Sequence, residues 1–273
     1  MARDDTTELE QKGKVIAVCS AKGGVGRTLI SVNLSVALTK KNLNVCLLDG
    51  DFQFGDISLA MDLQPTFTIK DVVEEIEGMD DYSLNNFLST HSSGVNVLAA
   101  PDRPEFAELI TNEALVRVIE MLRNQFDFVI IDTGTEINGH AVDIIEQADQ
   151  ILAITTLEMT SLKNTRLLLE TYEKLGIREK VQLVINRFDM ESLIKAEEVP
   201  GMFNEVTAIQ IPNNFKITSQ SLNLGIPFTI SQTKSNLSKV LFKMAENMTS
   251  NTAHTKKDKS SKNKKWFGKK RKE

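Results

Sequence analysis

One stretch near the start constrains the chain more than any other. An unbroken apolar run, Val15-Ile16-Ala17-Val18-Cys19, leads into Lys22-Gly23-Gly24-Val25-Gly26-Arg27-Thr28 and then into Leu29-Ile30-Ser31-Val32-Asn33-Leu34-Ser35-Val36-Ala37-Leu38. A buried strand, a glycine-rich turn and a helix in that order form a phosphate-binding loop. Glycines let successive backbone N–H groups curl around an anion without Cβ clashes, and the helix start adds its positive dipole end. Thr28 offers a hydroxyl where a phosphate-bound Mg²⁺ needs an oxygen ligand. Lys22, Gly23, Gly24, Val25, Gly26, Arg27, Thr28 and Leu29 are therefore the candidate phosphate-binding residues.

The same alternation runs on to the end of the chain. Apolar runs at Val45–Leu48, Val95–Ala100, Phe128–Ile131, Ile151–Thr155, Val181–Ile185 and Ala208–Ile211 read as strands. Between them, Thr68–Ile76, Glu113–Leu122, Ile137–Gln147, Ser161–Leu175 and Lys234–Met248 read as helices, the fourth ended by Gly176. Continuous apolar strands separated by helices predict an α/β fold, a mostly parallel sheet with helices on both faces. Ligands in such sheets bind beyond the carboxyl ends of the strands.

Those ends carry the remaining polar candidates. Asp132 closes the run Phe128–Ile131, where a second carboxylate can hold Mg²⁺ through water, and Thr133-Gly134 beside it suits a γ-phosphate-sensing switch. Asp49-Gly50-Asp51 closes the second strand. It is either a solvated turn or the source of a carboxylate that orients an attacking water, with Asp51 the favoured candidate. Asn186-Arg187 and Ile211-Pro212-Asn213 are either turn chemistry or the wall of an adenine pocket. An amide reads a base edge with its donor and acceptor, and a proline lies flat against the ring.

Composition narrows the class. No stretch approaches the roughly 18 apolar residues of a spanning helix, and the polar, acidic Met1–Glu8 is unlike a signal peptide. Cys19 and Cys46 fall in apolar strands and read as buried thiols of a reducing, cytoplasmic compartment. His91, His140 and His254 are far apart, which argues against zinc, and no Gly-x-Ser-x-Gly nucleophile elbow occurs. Of 32 Lys/Arg and 37 Asp/Glu, ten and two lie in residues 249–273, leaving 22 and 35 on an acidic remainder. That segregation argues against a nucleic-acid surface on the folded body and concentrates the basic contact at the C-terminus.

The loop resembles the deviant phosphate loop of MinD/ParA-family ATPases, K-G-G-x-G-K-[ST], with Arg27 in place of the second lysine. The resemblance implies ATP and Mg²⁺ as cofactors and an ATP-sandwiched homodimer in which Lys22 reaches the partner's nucleotide. It also places Asn186-Arg187 and Pro212-Asn213 at the adenine. Arginine keeps the charge but carries a larger planar fork than an ammonium, so slow or absent hydrolysis is expected. Within the family, the segments Leu47–Leu63, Val97–Pro101 with Pro104-Glu105, and Phe126–Gly134 resemble CpaE/TadZ proteins of type IV (Tad/Flp) pilus assembly. That likeness runs from about Lys14 to Met248 and implies partners in a pilus or secretion machine at the cell envelope. Many such proteins carry an N-terminal receiver-like domain, whereas about a dozen residues precede the first strand here.

The expected organisation is a short extension over 1–13, an ATPase domain over 14–248 and a basic, disordered tail over 249–273. In the tail, Trp266-Phe267 stands between Lys264-Lys265 and Lys269–Lys272. The stretch 256–272 is either a solubility tail or a peripheral contact with an anionic membrane at its inner face, since rings suit the headgroup boundary and each basic residue adds up to about 1 kcal/mol. The expected function is an ATP-dependent dimerising localisation factor. The alternatives are a MinD-like or flagellar-placement ATPase cycling on the membrane and a ParA-like DNA-partitioning ATPase.

Overall fold

The computed structural model describes residues 12–135, 139–204 and 207–250. Among the described residues one eight-stranded sheet forms the centre. In chain order its strands are β1 (Lys14–Cys19), β2 (Val45–Gly50), β3 (Ser89–Thr90), β4 (Asn96–Leu98), β5 (Phe128–Thr133), β6 (Gln150–Thr155), β7 (Val181–Asn186) and β8 (Ile209–Ile211). Their spatial order is β3-β4-β2-β5-β1-β6-β7-β8, and every neighbouring pair is parallel except β3 with β4.

Alternation along the central strands sends side chains to two separate apolar layers. Val15, Ala17 and Cys19 face one core with Cys46, Leu48, Val129 and Ile131. Ile16 and Val18 face the other with Val45, Leu47, Phe128 and Ile130. The other core is covered by α1 (Arg27–Thr39), α2 (Ile57–Ala60), and elements near the C-terminus described below. Over the first core lie α3 (Ile69–Glu75), α4 (Asn112–Gln125), α5 (Gly139–Gln147), α6 (Met159–Lys174) and α7 (Val199–Met202). The C-terminal elements are α8 (Phe215–Leu224), α9 (Phe228–Ser231) and α10 over 236–250; Leu237, Leu241, Met244 and Met248 of α10 are buried against the second core. That buried stripe makes α10 a core-packing helix, and among the described residues no helix is long and apolar enough to cross a membrane.

Local chemistry accounts for the element ends. A capping box between Thr68 and Asp71 starts α3, and the Thr111 hydroxyl accepts from Ala114 N at 3.2 Å at the start of α4. Gly176, at φ 70°, follows α6 in the left-handed conformation that terminates helices. The strand expected over 95–100 is shorter, because β4 finds only Cys46, Leu48 and the residue between them as partners on β2. By contrast β2, β5 and β7 extend past their apolar runs to take in Asp49, Asp132 and Asn186. Residues 1–11 of the expected extension, 136–138 at the expected start of α5 and 251–273 of the expected tail lie outside the described residues; Thr249 and Ser250 end α10.

Candidate functional site

The loop between β1 and α1 sits at the carboxyl edge of the sheet, beside the ends of β2, β5 and β7. Gly24 and Gly26 have φ of 72° and 99°, left-handed values that a side chain would strain. At Gly26 space is closed as well, since a Cβ would stand 2.5 Å from Asn186 Nδ2. Gly26 is also the residue from which α1 starts, so the first backbone N–H groups of that helix open at the loop.

Thr28, in the first turn of α1, donates its hydroxyl to Asp132 Oδ2 at 2.6 Å, and Ser31 one turn on donates to Asp132 Oδ1 at 3.1 Å. Asp132 is 1% exposed. Burial pushes its carboxyl up to about 6, against the opposing pull of the Thr28 hydrogen bond, the Arg27 guanidinium and the Ser31 hydrogen bond. A hydroxyl beside a carboxylate is the oxygen donor set that suits a hard divalent cation, so these residues fit Mg²⁺.

Arg27 reaches sideways across the loop. One nitrogen donates to Ser20 Oγ at 3.1 Å and the other stands 3.7 Å from Asp51 Oδ2. Its buried Nε has no hydrogen-bond partner among the described residues. Asp51 also accepts from Phe54 N at 3.2 Å and lies near Gly134. Asp49 does different work. It accepts from Ile57 N at 3.1 Å and Asp51 N at 3.3 Å, pinning the 51–57 loop, and burial followed by the nearby Asp132 pushes its carboxyl well above the ordinary range.

A cavity of about 390 Å³ opens over the loop. Lys22, Gly24, Val25, Gly26, Arg27, Thr28, Leu29 and Asp51 line one part, and Asn186, Arg187, Pro212 and Asn213 another. Gly23 is exposed and faces Thr135 instead. Asp132 acts from beneath, through Thr28. The Asn186 amide donates to Val25 O at 2.7 Å, and Arg187 donates to Gly24 O at 3.2 Å from a backbone at φ 56°. Both side chains thus brace the phosphate loop while forming the cavity wall. Lys22 turns its ammonium to Glu158 and to Thr160 Oγ1, the latter at 3.0 Å.

Ser20, Ser31, Glu158 and the outer wall of the cavity, where Phe54 and Phe215 are 74% and 76% exposed, lie outside the motifs named from the sequence. Ser31 was within reach of sequence reasoning, being three residues after Thr28 on one helix face. Glu158 and Phe215 carry no local signal. With its sheet, glycine loop and hydroxyl–carboxylate pair, the molecule has the architecture of a phosphate-loop protein of the doubly covered α/β class.

Comparison with known proteins narrows that class. The family described as "AAA domain" matches residues 13–185. The septum site-determining protein MinD of Thermotoga maritima is 30% identical over 228 residues, 80% of this chain and 82% of that protein. A ParA-family ATPase from Chlorobium tepidum superposes with a TM-score of 0.80 at 23% identity, covering 86% of this chain and 98% of its own. The septum site-determining protein MinD of Pyrococcus horikoshii, solved with Mg-ADP, gives 0.75 at 23% identity, covering 86% and 96%. The chain belongs to the MinD/ParA family of P-loop ATPases.

The Asp132 carboxyl supplies a pH test. Its folded value, about 6, lies above the ordinary 3.8. The unfolded chain therefore ionises first as pH rises, and native stability falls between about pH 4 and pH 6. The contribution is full below the lower value and gone above the upper, a change of up to roughly 3 kcal/mol. Urea unfolding of Asp132→Asn and the unaltered chain at about pH 4.5 and 7.5 should show the variant gaining relative stability at the higher pH. A gap that does not move with pH contradicts the assignment.

Proposed function

We propose that the chain is a localisation factor of the MinD/ParA type that binds Mg·ATP, dimerises on it, and hydrolyses it slowly or not at all. The observation that carries this reading is the phosphate loop braced on Asp132, with Arg27 standing where the family's loop has its second lysine. In this reading the loop N–H groups and Arg27 hold phosphates, while Thr28 and Asp132 hold Mg²⁺. Arg187, Pro212 and Asn213 flank the base, and Asn186 keeps the loop in shape. Mg²⁺ supplies charge neutralisation at the phosphates when bound. Asp51 is the group suited to orient water, and its neighbour Arg27 ties it up. The Mg-ADP carried by the Pyrococcus horikoshii relative supports the cofactor pair.

Two settings for such a factor remain in view. The CpaE/TadZ-like segments favour placement of a pilus or secretion machine at the cell envelope. The relationship to a septum site-determining protein over four-fifths of the chain favours a MinD-like role equally. A DNA-partitioning role fits poorly with the acidic balance outside 249–273. Either favoured setting accommodates a peripheral contact of 256–272 with anionic lipid, strengthened by avidity when two copies join.

Sedimentation tests the dimer: saturating ATP should double the mass of the unaltered chain and not that of Lys22→Ala. An unchanged mass with the site saturated contradicts it. Steady-state phosphate release tests the brake. Replacing the fork by an ammonium in Arg27→Lys should free Asp51 and raise turnover by about tenfold to hundredfold. An equal or lower rate in a folded variant means that the site is adapted to arginine. Vesicle flotation tests the tail: ATP should enhance binding to anionic vesicles, with loss at high salt and in Trp266→Ala/Phe267→Ala. Equal binding to neutral vesicles removes the electrostatic account.

A further inference from the structure

Away from the phosphate loop, a second concave surface opens at the β3 edge of the sheet, four strands along from β1. It lies between the end of α3, with the 3-10 turn Ile76–Gly78 that follows it, and the turn Ser83–Phe87 that leads into β3. Its volume is about 550 Å³, within the roughly 300–1,000 Å³ that ligand sites span. The walls are aromatic and apolar. The Phe67 and Phe87 rings stand 5.1 Å apart, tilted by 56°, and the buried Met79 lines the cleft with them. Phe67 is 42% exposed, a large ring left open to solvent. The rim is acidic: residues 71–81 hold Asp71, Glu74, Glu75, Glu77, Asp80 and Asp81 and no Lys or Arg. Lys70 answers Asp71 and Glu74, Asp80 accepts from Ser83, and Asp81 accepts from Asn124. Glu75, which lines the cleft, and Glu77 are exposed and have no ion-pair partner among the described residues.

One segment of this chain carries the complementary chemistry. In 264–272, Trp266-Phe267 stands between Lys264-Lys265 and Lys269-Lys270-Arg271-Lys272, two adjacent rings among six basic residues. Trp266 comes sixteen positions after Ser250, the last described residue of α10, a reach of up to about 55 Å. A folded body of this size is roughly 45 Å across. We propose that the cleft is the docking site of this chain's own segment 264–272, with Trp266-Phe267 against Phe67 and Phe87 and the flanking basic residues over Glu75 and Glu77. Ring burial supplies the hold, and the opposed charges fix which segment is taken and in what orientation. Exposed ion pairs are individually weak and screened by salt, so the docking is reversible. A segment seated there is withheld from an anionic membrane, because body and lipid compete for the same rings and the same charges. The inference requires neither the ATP reading nor the membrane reading given above.

Trp266 is the single tryptophan of the chain, so tryptophan fluorescence of the full protein reports on this segment alone. In nucleotide-free protein at low salt, acrylamide should quench it about two- to fivefold less steeply than in a free peptide of residues 256–273, with emission shifted to the blue. Quenching equal to that of the peptide overturns the proposal. Salt at about 1 M, where the Debye length is about 3 Å, should remove most of the protection. So should Glu75→Gln/Glu77→Gln, at exposed positions where the fold is not at stake. Gly78→Leu narrows the cleft with every charge intact, since a Cβ at Gly78 meets no atom within 4 Å, and it should act in the same direction. Protection that survives both variants seats the segment elsewhere and overturns the proposal. Protection that grows with protein concentration assigns the cleft to a second copy's segment and overturns the own-chain occupant. In vesicle flotation, Glu75→Gln/Glu77→Gln should need less anionic lipid for half-maximal binding than the unaltered chain. An equal requirement overturns the competition. If no form of the chain floats, the membrane reading fails, and the quenching result still decides the cleft.

Discussion

The hydrogen bond from Thr28 to Asp132 joins the two halves of the site, and much else is arranged to permit it. Thr28 rides on the first turn of α1 and Asp132 on the carboxyl end of β5, more than a hundred residues later in the chain. They meet because β5 lies directly beside β1 in the sheet and runs parallel to it, so that the carboxyl ends of both strands reach the same edge. The apolar layers on either face fix the height of β5 against β1, and with it the reach of the carboxylate. Ser31 then takes the second carboxylate oxygen, so that the buried acid is met on both sides.

Three carboxylates crowd the edge around this contact, and their surroundings divide the labour. Asp132 is buried and supported by hydroxyls, a setting for a cation. Asp49 is buried and held by backbone N–H groups, which makes it a loop pin. Asp51 is the partly exposed one and has Arg27 for its cationic neighbour. An arginine reaches farther than a lysine and forks at its end, so from its place in the loop Arg27 meets both Ser20 and Asp51. That geometry is what supports the slow or silent site proposed above.

The sheet, its parallel sense and the loop were legible because each is written locally: apolar runs of strand length, helical spacing between them, and glycines at the turn. Asp51, Asp132, Asn186 and Pro212 were legible as residues at strand ends. Side-chain direction was not. Asn186 has the chemistry of a base reader, yet its donor reaches Val25 O, a choice that depends on how closely β7 approaches the loop. Arg27 could equally have pointed along the loop; the sequence separates it from Asp51 by a whole helix and strand. Glu158 was invisible because an acidic residue before a helix reads as a dipole partner, and its pairing with Lys22 spans 136 positions. The shortening of β4 likewise depends on what β2 offers beside it.

Isothermal titration of the purified chain with ATP, with and without Mg²⁺, bears most directly on the central claim that the braced loop is a nucleotide site. Saturable binding of one ATP per chain that strengthens with Mg²⁺ is expected, with loss of the Mg²⁺ dependence in Thr28→Ala. Absence of binding heat at any temperature, or binding indifferent to both Mg²⁺ and Thr28, would contradict it.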